Sequence, residues 1–281
     1  MRFLVTGIGG PAGKALTTQL VARGHAVYGV DLTEVSDPRL AAFATVPAAT
    51  DPEMLPHLRS LAVAHNVDFI IPTVAEELTI IAHNREFFAP IPVVIGAPDA
   101  VACAHDKYLT MQRLQQAGVA TPEFALPSEF PNIEAALQHF GNVFALKPRI
   151  GRGGRGFQVI RQPSDLNWAQ IDDSVILQAF APGAEYAPMV FVPQSRKTST
   201  VAVVQKEQDA TVRIPNESVP AIATLAQSTA KAMGLVGPID IDVRINASGA
   251  PVVLEVNARF GANSELAPEI LGGLFEDLKV K

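Results

Sequence analysis

The chain has 281 residues, 48% of them hydrophobic, so it is long enough for two or three compact units and is expected to be globular. Its formal net charge of −6 argues against a general nucleic-acid binder, because phosphate backbones select clustered basic surfaces. The single cysteine, Cys103, excludes an internal disulfide, and no apolar run approaches the roughly 18 residues of a spanning helix. The apolar run Met1–Val5 is too short for a signal peptide, so we expect a cytoplasmic protein without a membrane partner.

The first hundred residues predict a Rossmann-like unit. An apolar strand over Arg2–Thr6 is followed by a glycine-rich turn over 7–13, a helix, and a second strand that ends at Asp31. Further apolar runs over Val67–Thr73 and Ile91–Ile95 alternate with helical patterns. Such alternation of strands and helices is typical of a doubly wound parallel sheet.

The glycine turn and Asp31 leave two interpretations open. One is NAD(P) binding, as in short-chain reductases, since an acid about 20 residues after such a turn belongs to the dinucleotide-binding pattern. Those enzymes also use a tyrosine followed four residues later by a lysine, and none of the three tyrosines has one. The other interpretation, which we favour, is that the glycines only let the first helix pack tightly against the sheet.

A loop rich in glycine and arginine lies between two apolar strands in the middle of the chain. Lys147 is on the strand that enters it, and the loop contains Gly151, Gly153, Gly154 and Gly156 with two arginines. Glycines let backbone N–H groups approach a ligand closely, and the fixed positive charge suits a polyphosphate. The alternative is an ordinary hairpin turn on a solvated surface.

Further strands follow this loop. One is predicted over Val175–Phe180, and the turn after it carries one acid, Glu185. Two more are predicted over Met189–Val192 and Thr198–Val204, and a helix over Ser218–Met233.

Two strands of alternating polarity predict a β-hairpin after this helix. They cover Ile239–Ile245 and Pro251–Arg259. A turn centred between Ser248 and Gly249 would place Asp242 opposite Glu255 and Asp240 opposite Asn257.

Like charges directly across a β-ladder destabilise the pair, so the facing Asp242 and Glu255 call for an explanation. A divalent cation such as Mg²⁺ provides one, because it binds carboxylate and amide oxygens and usually keeps substrate phosphates as further ligands. The alternative is an amphipathic hairpin whose carboxylates point into water.

Taken together, these motifs give the chain a resemblance to the ATP-grasp superfamily, and more closely to ligases similar to the synthetase domains of the carbamoyl-phosphate synthase large subunit. The motifs that carry it are, in chain order, Asp106-Lys107, Lys147-Pro148 with the glycine loop, Pro182 to Glu185, and Asp242 with Glu255 to Arg259. The resemblance covers nearly the whole chain. It implies a Rossmann-like pre-ATP-grasp domain (1–100), a small lobe with a glycine-rich lid (101–180) and a large lobe with a metal site (181–281).

The resemblance also implies roles for single residues. Lys107, Lys147 and the loop of Gly151, Gly153, Gly154 and Gly156 are expected at the ATP phosphates. Backbone groups around Gln178 to Phe180 are expected at the adenine, and Glu185 at the ribose hydroxyls. Many relatives have Glu in place of Gln178. The Mg²⁺ ligands would be Asp242, Glu255 and Asn257, and the catalytic cation would be Arg259.

The activity implied by the resemblance is ATP-dependent ligation. A carboxylate is activated as an acyl phosphate with Mg²⁺, and an amine or other nucleophile then displaces phosphate. The expected partners are small-molecule carboxylates and amines, and a homodimer is left open. Two alternatives are an NAD(P)-dependent reductase and an ATP-binding module without catalysis.

Overall fold

The structure is a computed structural model that describes residues 1–197, 199–208 and 210–279. Thr198, with which one predicted strand begins, lies outside the described residues, as do Asp209, Val280 and Lys281. No described helix is both long and apolar enough to cross a membrane.

A parallel four-stranded sheet forms the predicted Rossmann-like unit. Its strands run in the order β3–β2–β1–β4, with the bounds β1 (Arg2–Thr6), β2 (Ala26–Asp31), β3 (Ala42–Thr45) and β4 (Phe69–Ile71). Three helices belong to this unit: α1 (Pro11–Ala22), α2 (Met54–Ala64) and α3 (Ala75–His83). The predicted strand at Ile91–Ile95 is wrong, since only one bridge forms, between Val93 and Ile70. Pro92 within that segment has no N–H to donate to a ladder.

Two consecutive helices lead away from this unit, α4 (Pro98–His105) and α5 (Lys107–Gln116). The N-cap of α5 is Asp106, whose side chain accepts hydrogen bonds from the N–H groups of Tyr108 and Leu109. Lys107 is therefore fixed in the first turn of a capped helix.

A second sheet is antiparallel and has its own hydrophobic core, and we call this region the small lobe. Its strands run in the order β5–β8–β6–β7, with the bounds β5 (Phe124–Ala125), β6 (Phe144–Pro148), β7 (Gln158–Ile160) and β8 (Val175–Ala179). Helix α6 (Ile133–His139) packs on this sheet through Ala136 and Leu137, which join Phe144 and Leu177 in the core. The glycine loop connects β6 to β7.

The third sheet, which we call the large sheet, contains the hairpin. Its strands are β9 (Glu185–Tyr186), β10 (Met189–Val192), β11 (Thr200–Lys206), β12 (Thr211–Ile214), β13 (Gly237–Ile245) and β14 (Pro251–Asn257). The order is β10–β11–β9–β13–β14, with β12 added beside β11 and β10 also paired with β13. Helices α7 (Pro220–Met233) and α8 (Pro268–Leu278) accompany it.

The Rossmann-like unit and the large sheet share buried cores. One cluster joins Leu4 and Ile70 of the first sheet to Ile239 and Val256 of the hairpin. Another joins Phe3 of the first sheet to Phe191 of the large sheet. Helix α5 also contacts α7 and β14. The burial of these apolar side chains holds the hairpin against the rest of the molecule.

Candidate active site

A cleft of about 560 Å³ is lined by residues of both the small lobe and the large sheet. Twelve of the thirteen residues assigned to a site from the sequence line it: Lys107, Lys147, Gly151, Gly153, Gly154, Gln178, Phe180, Glu185, Asp242, Glu255, Asn257 and Arg259. The thirteenth, Gly156, belongs to the same loop but is not part of the cleft wall. The structure thus brings together residues spread over more than 150 positions of the sequence.

The hairpin of β13 and β14 forms the predicted pairs, Asp242 with Glu255 and Asp240 with Asn257. Its turn differs from the prediction, because Ile245 pairs with Pro251 and the turn is therefore centred on Ser248. The register shifts between Asp242 and Val243, where Leu254 is left without a partner. This shift offsets the different turn, and the predicted pairs form on its far side. Leu254 consequently lines the cleft beside Glu255, whereas the sequence predicted it on the opposite side of the strand.

Each of the two facing carboxylates is paired with a lysine. Glu255 Oε1 lies 3.3 Å from Lys107 Nζ, and Asp242 Oδ1 lies 2.7 Å from Lys206 Nζ. Burial raises the pKa of Glu255, and the nearby ammonium of Lys107 offsets part of that rise. The chain's own cations therefore balance the repulsion from which a metal was inferred, and the metal assignment depends on the donor atoms instead.

Lys206 is a site residue that was not predicted from the sequence. Its ammonium donates hydrogen bonds to Asp242 Oδ1 at 2.7 Å and to Glu185 Oε1 at 2.8 Å. Burial opposes the charge of Lys206, but these two carboxylates raise its pKa above the ordinary value. The signal that could have found Lys206 is the two-residue period of β11, since Ala202 and Val204 share its face.

Glu185, the expected ribose ligand, lies between two cations. Lys206 is on one side, and Arg244 Nε lies 3.2 Å from Glu185 Oε2. The register of the sheet produces this arrangement, because Glu185 pairs with Lys206 on β11 and with Arg244 on β13. Arg244 was also not identified from the sequence.

Arg259 is held at the cleft wall by a buried acid. Its Nη1 donates to Asp240 Oδ2 at 2.9 Å and to the carbonyl oxygen of Phe260 at 2.8 Å. Burial raises the pKa of Asp240, and the Arg259 guanidinium works against that rise. A Cβ at Gly261 would lie 2.5 Å from the Asp240 carboxylate, so this close packing requires a glycine.

Lys147 occupies the cleft end of β6, as the sequence predicted. Its ammonium lies 6.0 Å from the centre of the Phe157 ring, at the far end of the glycine loop. Burial lowers the pKa of Lys147, and the carboxylates of Glu255 and Asp242 partly oppose that effect. Positive charge held in a half-buried position is suited to an anionic ligand.

The glycine loop lies over the cleft and contacts two other parts of the protein. Lys107 Nζ donates to the carbonyl oxygen of Gly151 at 3.1 Å, and Arg152 Nε donates to Glu76 Oε1 on α3 at 2.6 Å. Gly153 and Gly154 have φ values of 61° and 69°, a backbone conformation that is unfavourable for residues other than glycine. The loop conformation thus depends on its glycines.

Gln178 is a buried polar side chain that lines the cleft without a partner. It is 1% exposed, and neither Oε1 nor Nε2 has a hydrogen-bond partner. An unsatisfied buried amide group costs about 1–3 kcal/mol, so such groups normally meet a ligand or water. The position suits a ligand edge that has one donor beside one acceptor.

The residues expected to bind Mg²⁺ present a donor set that fits this ion. Asp242 and Glu255 supply carboxylate oxygens and Asn257 an amide oxygen, all on the cleft wall. Among the described residues, no group of three or more His, Cys, Asp or Glu side chains could hold a metal. Two carboxylates and an amide still suffice for Mg²⁺, which usually takes one or two carboxylates and completes its shell with water and phosphate oxygens.

The glycine turn of the first domain is explained by packing within the protein. A Cβ at Gly13 would lie 2.4 Å from the carbonyl oxygen of Gly7, and one at Gly7 would lie 2.5 Å from Val74. Asp31 Oδ2 accepts a hydrogen bond from the Gly9 N–H at 2.9 Å. These contacts support the packing interpretation of the turn over NAD(P) binding.

Residues 104–263 match the family model described as an ATP-grasp domain. A D-alanine–D-alanine ligase of Gloeobacter violaceus is 26% identical over 193 residues, which cover 60% of this chain and 64% of that ligase. The large chain of carbamoyl phosphate synthase from Kineococcus radiotolerans is 28% identical over 78 residues, or 28% of this chain and 7% of that protein. The chain thus matches just under two thirds of the length of the first relative.

Solved structures share the fold at lower identity. N5-carboxyaminoimidazole ribonucleotide synthetase from Thermotoga maritima has a TM-score of 0.69 and 22% identity, covering 92% of this chain and 68% of that chain. The biotin carboxylase domain dimer of the Hydrogenobacter thermophilus 2-oxoglutarate carboxylase, solved with MgADP and bicarbonate, has a TM-score of 0.70 and 14% identity. That match covers 96% of this chain and 69% of the other.

Proposed function

The chain belongs to the ATP-grasp family, and from this premise we propose that it is an ATP-dependent ligase that joins a carboxylate to an amine or another nucleophile. The expected family and the expected fold class, a Rossmann-like domain followed by a two-lobed ATP-grasp fold, are confirmed. The boundaries of the three units at about residues 100 and 180 stay a prediction.

One observation carries the proposal. A single cleft places Lys107, Lys147 and the glycine loop together with Asp242 and Glu255. Cations under a glycine loop bind phosphates, and carboxylates beside them bind the metal that accompanies phosphates. The family supplies the reaction class, and the cleft supplies the groups that this class requires.

We assign ATP to the cleft in one orientation. The unpartnered amide of Gln178 supports adenine at the small-lobe end, with Glu185 near the ribose. Lys107 and Lys147 then lie where the phosphates pass beneath the glycine loop. Asp242, Glu255 and Asn257 would hold Mg²⁺, which supplies charge neutralisation to the phosphoryl oxygens when bound.

The residues act by positioning and by charge. A carboxylate oxygen of the substrate attacks the γ-phosphorus, the bond to the β-phosphate oxygen breaks, and ADP leaves. Lys147 and Arg259 stabilise negative charge on the transferred group, and Asp240 keeps Arg259 aligned. The amine then attacks the carbonyl carbon, the carbon–oxygen bond to phosphate breaks, and the amine loses a proton. No nucleophilic side chain is needed.

The substrates are small molecules, and their identities are open within this class. A cytoplasmic location is part of the proposal, and a homodimer stays open.

Turnover with a substrate panel tests the proposal. We expect ATP hydrolysis with Mg²⁺ to be slow alone and to rise at least about tenfold with one pairing of a carboxylate and an amine. Lys147→Ala serves as the inactive control, and Lys231→Met, on the surface of α7, as the active one. ATP binding without turnover across amino acids, bicarbonate and simple amines would contradict a ligase and favour a binding module. Tight NADPH binding would favour the reductase.

A further inference from the structure

We propose that Lys206 makes metal binding at the hairpin depend on nucleotide, because its ammonium neutralises the carboxylate that the divalent cation needs. This inference rests on the proposed function. It adds a positioning residue, Lys206, that controls when Asp242 is available.

The contacts of Lys206 are built into the sheet. Its Nζ lies 2.7 Å from Asp242 Oδ1 and 2.8 Å from Glu185 Oε1, so one ammonium bridges the acid expected at the metal and the acid expected at the ribose. Strand pairing places Lys206 directly opposite Glu185. A lysine held from two sides in this way stays beside Asp242 unless a stronger acceptor draws it away.

The cationic side chains around the cleft already outnumber its carboxylates. Four carboxylates line the wall: Glu185, Asp240, Asp242 and Glu255. Seven side-chain cations line it as well: Lys107, Lys147, Arg152, Arg155, Lys206, Arg244 and Arg259. A divalent cation bound to Asp242 would lie only a few ångströms from the Lys206 ammonium, and no acid on this wall remains to offset their repulsion.

A polyphosphate changes this balance. It brings several negative charges, and the ammonium of a lysine on its flexible four-carbon stem can move from a carboxylate to a phosphate oxygen. Asp242 is then released to the metal, and the metal gains phosphate oxygens as ligands. Metal and nucleotide are therefore expected to bind as a coupled pair, with Lys206 responsible for a large part of the coupling.

Mn²⁺ can be used as the probe, with the full chain in solution and bound ion measured by electron paramagnetic resonance. Without nucleotide, Lys206→Met should bind Mn²⁺ at least about tenfold more tightly than the unmodified protein. A lysine with a merely structural role would lower metal affinity when removed, so the direction of the change distinguishes the two roles. Lys231→Met is the matched control and should leave Mn²⁺ affinity unchanged.

The second measurement is ADP affinity by calorimetry with and without Mn²⁺. The enhancement by Mn²⁺ should be at least about tenfold in the unmodified protein and should fall severalfold in Lys206→Met. The same Mn·ADP complex forms in solution for every variant, so differences between variants belong to the protein. Lys206→Arg, which keeps the charge, should retain the enhancement.

Three outcomes overturn the proposal: equal or weaker Mn²⁺ binding by folded Lys206→Met, an unchanged enhancement in that variant, or tight Mn²⁺ binding by the unmodified protein without ADP. If Lys206→Met does not fold, the last outcome still decides. Failure of ADP to bind the unmodified protein would instead overturn the proposed function itself.

Discussion

Glu77 should make the stability of the protein fall as pH rises towards neutrality. This side chain is 7% exposed, and its Oε1 accepts hydrogen bonds from the Thr6 hydroxyl and from the Val74 N–H, the latter at 3.1 Å. Burial raises its pKa from the ordinary 4.5 to about 7, and the two hydrogen bonds only partly oppose the rise. In the folded protein the carboxyl therefore keeps its proton over a range in which the unfolded chain has lost it.

The magnitude follows from these two pKa values. The stabilising contribution is fully present below the unfolded pKa of 4.5 and is lost as pH rises through about 7. The difference corresponds to about 3 kcal/mol, most of it lost between about pH 5 and about pH 8. Glu77→Gln keeps an oxygen acceptor but cannot ionise, so it should remove this dependence.

The test is the free energy of unfolding in urea, measured for the protein and for Glu77→Gln at about pH 5 and about pH 8. The variant should gain about 2–3 kcal/mol relative to the unmodified protein between the lower and the higher pH. Using the difference between pH values cancels any constant cost of the substitution. Glu86→Gln, at a highly exposed carboxylate, should show no such gain. Parallel pH dependences for Glu77→Gln and the unmodified protein would refute the reasoning.

Three further predictions concern the cleft. Lys147→Ala should weaken ATP binding about tenfold to a hundredfold in calorimetry while leaving the melting curve normal, because it removes a charged donor; unchanged affinity would take Lys147 out of the site. Replacing ATP by its analogue without the 6-amino group should weaken binding to the unmodified protein by about 1 kcal/mol or more. The loss should be much smaller in Gln178→Leu and undiminished in the control Gln158→Leu, at an exposed position. Equal losses in all three proteins would exclude an adenine contact by Gln178. Hydrogen exchange over Arg149 to Phe157 should slow when an ATP analogue binds, both in the protein and in Glu76→Ala, since the exposed Glu76–Arg152 pair contributes at most about 1 kcal/mol; exchange unaffected by the analogue would contradict a lid.

The parts of the site that the sequence predicts are those set by local pattern. The alternation in β13 and β14 was enough to predict the hairpin and its polar face, and the glycines after Lys147 were enough to identify the loop. The exact turn was not predictable, because the unpaired Leu254 shifts the register by one residue and the alternation alone gives no sign of it.

The parts that it did not predict depend on partners distant in sequence. Lys206 and Arg244 meet at Glu185 only because β9 lies between β11 and β13, an order that no local pattern reveals. Helix α8 was missed for a related reason. Its adjacent Gly272 and Gly273 are unfavourable for a helix in isolation, yet a Cβ at Gly273 would lie 2.7 Å from the Phe191 ring, so the glycine allows the close packing that stabilises the helix.

The formation of an acyl phosphate can be measured most directly by oxygen transfer. With ATP, Mg²⁺, an amine and a carboxylate substrate labelled with ¹⁸O, phosphate released by the protein should carry one ¹⁸O atom, because the substrate oxygen that attacks the γ-phosphorus leaves with phosphate. Mass spectrometry of the phosphate gives the result. Labelled phosphate, absent when Lys147→Ala is used, is the predicted outcome. Phosphate that takes its new oxygen only from water, in a reaction that still forms the amide, would contradict the account.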